Sequence, residues 1–133
     1  MHTALTHPEK LAGLMVLSSF FPAGNKVQPH PANRDLPIHV FHGTQDSMAP
    51  ESLGQQTVAI LREKGYAPRY KTYPMAHAVC PQEITDISAW LQGLLGGALT
   101  RRDRDVLQVC MGEMVFWCFC VSISRTQSVE HLE

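Results

Sequence analysis

The sequence predicts an α/β fold built on a small, mostly parallel sheet of about three strands with flanking helices. Three observations carry this. Residues 12–20 are a short apolar run without strict alternation, the pattern of a strand buried on both faces, and Ile38 to Phe41 reads as a second buried strand. A stretch with helical spacing lies between Pro50 and Gly65. A further strand and helix come after it, and strands separated by helices argue for parallel pairing.

His2 to Thr6 reads as the last turn of a helix stopped near Pro8, which cannot continue it. Residues 12–20, Ala-Gly-Leu-Met-Val-Leu-Ser-Ser-Phe, are the first strand. Residues 22–37 hold Pro22, Gly24, Pro29, Pro31 and Pro37 and read as a loop, long enough to be expected to carry function. Ile38 to Phe41 is the second strand and runs into the turn-rich His42-Gly43-Thr44-Gln45-Asp46. In the next helix Leu53, Val58 and Leu61 can share one face, and Gly65 marks its stop. Residues 68–73 are a third strand, closed by the turn Pro74-Met75-Ala76-His77. A last helix spans 82–95, with Ile84, Ile87, Leu91 and Leu94 at helical spacing. A sheet with both faces covered usually has more strands, and the pattern looks cut off on its amino-terminal side.

The 133 residues suffice for one domain with a single core. With 11 basic and 12 acidic residues the net charge is -1, so nothing electrostatic favours nucleic acid or an anionic membrane as partner. The four cysteines, Cys80, Cys110, Cys118 and Cys120, form no Cys-x-x-Cys pair and have no histidine at finger spacing, so no structural zinc is expected. The start, Met1-His2-Thr3-Ala4, is not a signal peptide. A cytoplasmic, reducing setting with free thiols is the expectation.

Beyond Gly96-Gly97 the character changes. Arg101-Arg102-Asp103-Arg104-Asp105 is a charged run, and residues 106–123 are mostly apolar. Only Met114 to Val121 is uninterrupted, well short of the ~18 residues of a membrane span. The chain therefore divides into residues 1–97 and a tail, 98–133. Three readings of the tail stay open: foreign or out-of-frame sequence, a segment packing over exposed sheet surface, or a weak membrane-associating segment.

Ligands of open α/β sheets bind beyond the carboxyl ends of the strands. Asp46 comes after the second strand and His77 after the third, so adjacent parallel strands would bring both loops to one edge. An aspartate that holds a histidine in one tautomer is half of a nucleophilic triad. Acid before histidine is also the chain order of α/β-hydrolases, in which the serine comes first.

Taken in order, His42-Gly43-Thr44-Gln45-Asp46, Leu61-Arg62-Glu63-Lys64-Gly65, Tyr73-Pro74-Met75-Ala76-His77 and the helix from Glu83 to Leu91 resemble the carboxylesterase, lysophospholipase and acyl-protein thioesterase family. The strand Leu14-Met15-Val16-Leu17-Ser18 fits as well, and the resemblance covers roughly residues 2–95. It implies the carboxyl-terminal part of an α/β-hydrolase acting on small esters or thioesters. Asp46 would be the triad acid and His77 the general base, with no metal or organic cofactor. The family's Gly-x-Ser-x-Gly nucleophile elbow and its oxyanion-hole loop have no counterpart in residues 1–133. The resemblance thus implies a chain with little or no activity by itself.

Blander readings stand beside these. Asp46 and His77 could be an ordinary turn aspartate and loop histidine. His42 is read as structural, and His39 as packing or facing solvent. Ser18 and Ser19 are weak candidates for a replacement nucleophile because no strained strand-to-helix turn is expected at either. Ser47 suits a turn or cap, and Cys80 would need a lowered pKa to act as a thiol nucleophile. The non-catalytic alternative is an interaction module, a homo-oligomer that buries an orphan sheet edge against its own copy.

Overall fold

The computed structural model describes residues 1–95 and 119–124. Its elements are α1 (His2–Thr6), β1 (Leu11–Leu17), β2 (Ile38–Gly43), α2 (Glu51–Glu63), β3 (Arg69–Tyr73), α3 (Pro81–Leu95) and β4 (Phe119–Ser124). Two short 3-10 turns, Gly24–Lys26 and Pro31–Asn33, shape the long loop between β1 and β2. The sheet order is β3-β2-β1-β4. The first three strands are parallel, with Leu14 opposite Ile38 and His39 opposite Arg69. This is the small, mostly parallel α/β sheet that the sequence predicts.

The fourth strand was not expected. It comes from the tail and pairs antiparallel with β1, Leu17 opposite Phe119 and Leu11 opposite Ser124. Residues 96–118 and 125–133, with the charged run and with Cys110 and Cys118, lie outside the described residues. Among the described residues no helix is long and apolar enough to cross a membrane.

The period of two in β1 splits the core between the two faces of the sheet. Leu14 and Val16 join Ile38, Val40, Ala4 and Leu5 of α1, and Val58 and Leu61 of α2. On the other face Met15 joins Phe41, Tyr73 and Met75, with Ile87 and Trp90 of α3 packed against them. Leu5, Leu14 and Leu61 are wholly buried; each such side chain contributes about 1.5–3 kcal/mol by leaving water. Every residue of β2 is buried, His39 and His42 included, as expected of a strand covered on both faces. Gly13 allows α3 to ride close over β1: a methyl there would stand 2.6 Å from the Leu94 side chain.

One expectation about α3 is corrected. Ile84 is exposed, and Glu83 turns toward the sheet instead. The inward stripe thus starts at Glu83 and continues through Ile87 and Trp90.

The long loop is anchored by Asn33, which is almost wholly buried. Its Oδ1 accepts the Leu11 N–H at 2.8 Å, and its Nδ2 donates to the carbonyls of His7 and Glu9, both at 2.8 Å. Tyr66 adds a hydroxyl bond to the Asn33 carbonyl at 3.1 Å. One amide side chain therefore satisfies backbone groups that secondary structure leaves unpaired.

Candidate active site

The carboxyl ends of β2 and β3 are stitched by backbone before any side chain is considered. Thr44 N–H donates to the Tyr73 carbonyl at 2.9 Å, and Gln45 N–H to the Met75 carbonyl at 3.0 Å. Gly43 ends β2 where a Cβ would run into the carbonyl oxygens of Met75 and Ala76. Only glycine permits that approach without displacing the backbone.

This junction brings Asp46 and His77 together. His77 Nδ1 lies 2.7 Å from Asp46 Oδ2. The other carboxylate oxygen, Oδ1, accepts the N–H groups of Met48 at 2.9 Å and Ala49 at 2.8 Å. Asp46 is buried. Burial alone pushes its carboxyl up, but the Ala49 N–H, the His77 ring and the Met48 N–H outweigh it and hold the group below its ordinary value. An ionised carboxylate only accepts, so Nδ1 of His77 carries the proton and Nε2 is the basic nitrogen. That is the tautomer a general base requires.

The remaining histidines of the sheet have structural contacts. His42 is wholly buried, and its Nε2–H donates to the Ala49 carbonyl at 2.7 Å, closing the Asp46 turn from below. His39 is buried and stacked on Phe41 with centroids 3.9 Å apart, with Trp90 edge-on at 5.6 Å. Burial first, then the charges of Arg69 and Lys71, lower its pKa to about 4, so it is neutral near pH 7.

Ser18 departs from expectation. It ends β1 with φ of 41°, a left-handed conformation that non-glycine residues rarely adopt. The chain leaves β1 sharply here, while the Ser18 N–H still donates to the Phe41 carbonyl at 2.9 Å. The chain then enters a loop and not a helix, so the strand-to-helix geometry of a nucleophile elbow is not formed. Ser19 is buried, and its hydroxyl donates to the Phe20 carbonyl at 3.4 Å. Ser47 is exposed in the Asp46 turn, and Cys80 is a half-buried free thiol. A cavity of about 390 Å³ opens between α2 and the loop after β1, lined by Phe20, Phe21, Asn25, Thr57 and Ile60 among others. Neither Asp46 nor His77 lines it.

Sequence reasoning missed Glu83. It is almost wholly buried at the start of α3, six residues after His77, and accepts the backbone N–H of Cys80. Its Oε2 has no partner among the described residues. Burial pushes its carboxyl up, against the opposing Cys80 bond. A glutamate at the third helical position reaching back is half of a capping box. Cys80 stands where that pattern has Ser or Thr, which hides the signal. Among the described residues no group of three or more His, Cys, Asp or Glu side chains could hold a metal ion.

Comparison with known proteins bears on the fold and the family of residues 1–95. The family model described as Phospholipase/Carboxylesterase matches residues 1–95. The chain is 36% identical to acyl-protein thioesterase 1 of Gibberella zeae, over 66% of this chain and 40% of that protein. It is 35% identical to acyl-protein thioesterase 1 of Cryptococcus neoformans, over 68% of this chain and 45% of that one. The crystal structure of Arabidopsis thaliana SOBER1 superposes with a TM-score of 0.63 at 30% identity, covering 70% of this chain and 46% of SOBER1. The chain thus spans less than half the length of these relatives. A match over residues 1–95 with this sheet order is sufficient: the chain belongs to the phospholipase/carboxylesterase family of α/β-hydrolases.

Proposed function

We propose that residues 1–97 are the carboxyl-terminal part of a serine hydrolase for small carboxylic esters or thioesters. Asp46 is the orienting acid and His77 the general base. The observation that supports this most directly is the 2.7 Å contact between Asp46 Oδ2 and His77 Nδ1 at the carboxyl edge of a parallel sheet. The thioesterase names of the relatives favour acyl thioesters within that class. In the full reaction a serine hydroxyl attacks the acyl carbon and His77 Nε2 takes its proton. The same nitrogen then protonates the leaving group; water, deprotonated by His77 Nε2, next attacks the acyl-serine to release the acid, and the proton returns to the serine, while Asp46 stabilises the imidazolium in both halves.

Residues 1–133 contain no Gly-x-Ser-x-Gly, so no elbow of that kind presents a hydroxyl to His77. This chain alone is therefore expected to be a weak or inactive hydrolase. The test is hydrolysis of p-nitrophenyl acetate and butyrate by the 133-residue chain beside His77→Ala. The expected result is two equal rates near that of buffer. A wild-type rate well above the variant would overturn inactivity and place a nucleophile within the chain, with Ser18, Ser19, Ser47 and Cys80 the next to replace. The free Cys80 thiol fits a cytoplasmic, reducing setting for this enzyme class.

A second reading, self-association without catalysis, is favoured by the sheet's outer strands. Exposed Arg69 and Lys71 guard the β3 edge, which leaves β4 as the edge for a second copy. Sedimentation should show mass rising with concentration; a constant monomer mass rules this reading out.

A further inference from the structure

His77 reaches Asp46 from a loop with little regular structure of its own. Within it Met75 N–H donates to the Tyr73 carbonyl and Ala78 N–H to the Ala76 carbonyl, both at 2.8 Å. Bonds that span three residues close small turns and do not fix where the loop as a whole points. Ala76, Ala78 and Val79 are exposed, so packing does not hold its middle either. The upstream end is firm. Met75 is buried, and the Tyr73 and Met75 carbonyls accept the Thr44 and Gln45 amides of the Asp46 loop. What sets the ring is then the downstream end, Cys80, where α3 begins.

Both ends are tied to the first two turns of α3. Tyr73 Oη donates to Asp86 Oδ2 at 2.8 Å, and Lys71 Nζ meets the same oxygen at 2.6 Å. The Cys80 backbone N–H donates to the Glu83 carboxyl. Glu83 and Asp86 stand three residues apart and so are neighbours on one side of the helix. One carboxyl grips the end of β3 and the other grips the exit of the loop that β3 feeds.

Glu83 is buried more deeply than a cap requires. A capping glutamate at the third helical position satisfies its amide equally well from the surface. Glu83 is only 1% exposed, and its Oε2 has no partner among the described residues. Burying an unpartnered carboxyl oxygen costs stability, so stability gives no reason to keep it there. What burial does supply is fixity, because the side chain has no open space to swing into. The contact of 2.7 Å between His77 Nδ1 and Asp46 Oδ2 needs it. Such a bond is largely lost when the heavy atoms part by more than about 0.5 Å.

We propose that Glu83 is a positioning residue for His77: its carboxyl holds the Cys80 amide, and through the short Ala78–Cys80 segment keeps Nδ1 within reach of Asp46. This role rests on the reading of Asp46 and His77 as acid and base, and adds a third carboxyl that sets their geometry from outside the pair.

Nuclear magnetic resonance of the full 133-residue chain tests this without any turnover. In wild type the Cys80 amide should exchange slowly with solvent, and the neutral His77 ring should carry its proton on Nδ1. Glu83→Met keeps the bulk of the side chain and removes the acceptor. There the Cys80 amide and the Nδ1 proton should exchange on the order of tenfold faster. The His77 nitrogen shifts should move toward a mixture of the two tautomers. Glu83→Gln restores an acceptor and should return all three signals to wild type. Asn33→Ala controls for plain loss of stability: it loosens the loop before β2, leaves Glu83 in place and should leave His77 unchanged.

A Cys80 amide that exchanges freely in wild type overturns the proposal, even where Glu83→Met fails to fold. Equal changes at His77 in Asn33→Ala and Glu83→Met overturn it too, because lost stability then accounts for both. A wild-type ring with its proton on Nε2 defeats the Asp46–His77 reading and this role with it. A wild-type ring protonated at Nδ1 that a folded Glu83→Met leaves unchanged defeats this role alone.

Discussion

His42 and Gly54 meet at the junction of β2 and α2 with no space for a methyl group between them. A Cβ on Gly54 would stand 2.7 Å from His42 Nδ1 and 3.1 Å from its Cγ. The ring cannot withdraw, because it is wholly buried and its Nε2 is tied to the Ala49 carbonyl at 2.7 Å.

Gly54→Ala should therefore lower the melting temperature, although alanine is the better helix former. Helix propensity contributes about 1 kcal/mol in favour, whereas overpacking a fixed ring costs about 1–3 kcal/mol. Gly93→Ala is the contrast, since nothing lies within 4 Å of its added methyl. It should raise stability by up to about 1 kcal/mol. Thermal denaturation of both variants checks the pair; a stabilised Gly54→Ala would mean that the His42 ring is free to move.

Asn33→Ala removes three bonds at once: it leaves the buried Leu11 N–H short of a partner and takes a donor from the part-buried His7 and Glu9 carbonyls. The expected loss is about 3 kcal/mol, which is large for one substitution in a loop. Urea unfolding should show a lower midpoint with an unchanged slope. A loss below about 1 kcal/mol would mean that water replaces the side chain.

Asp46→Asn keeps an oxygen for the Met48 and Ala49 amides, so the fold should survive. The new amide donates toward His77, and the ring should switch its proton from Nδ1 to Nε2. Nitrogen chemical shifts of His77 read the tautomer directly. In a reconstituted enzyme the same variant should lose catalysis by on the order of 10⁴-fold, the size of effect seen when a triad aspartate is so replaced. An unchanged tautomer would disconnect Asp46 from the orientation of His77.

Two buried carboxyls pull stability in opposite directions with pH. The Asp46 carboxyl sits below its ordinary value in the fold. Its contribution is fully present above the unfolded value and is lost as pH falls through the lowered one. Glu83 sits above its ordinary value. Its contribution is fully present below the unfolded value and is lost as pH rises through the raised one. Glu83→Gln should thus gain stability over wild type at neutral pH, with the gain shrinking on acidification. Asp46→Asn should lose stability at neutral pH, with the loss shrinking at the acid end. Melting temperatures across the acid-to-neutral range decide both, and a constant offset for either variant would remove that carboxyl from the linkage.

Much of this molecule is legible in its sequence. β1 and β2 announce themselves as apolar runs because both of their faces are buried, and Pro50 and Gly65 bracket α2 closely. Asp46 and His77 are legible because each comes just after a strand, and parallel pairing leaves their loops side by side. The parts that stay hidden depend on distant partners. Asn33 is one polar residue in a proline-rich loop until Leu11 comes within reach. Glu83 reads as surface charge until α3 turns it inward in place of Ile84. β4 alternates Phe119, Val121 and Ile123 with small residues, a usable strand pattern, but its partner β1 lies about a hundred positions earlier. Local pattern cannot specify so remote a pairing.

The close approach of Gly43 to the Met75 and Ala76 carbonyls bears on how this family can vary. The spacing of Asp46 and His77 is encoded in peptide groups, which substitutions of exposed side chains leave untouched. Saturation mutagenesis should find Thr44, Gln45 and Ala76 permissive while Gly43 accepts nothing larger. Loop identity at this rim can then drift without the distance between Asp46 and His77 being renegotiated each time.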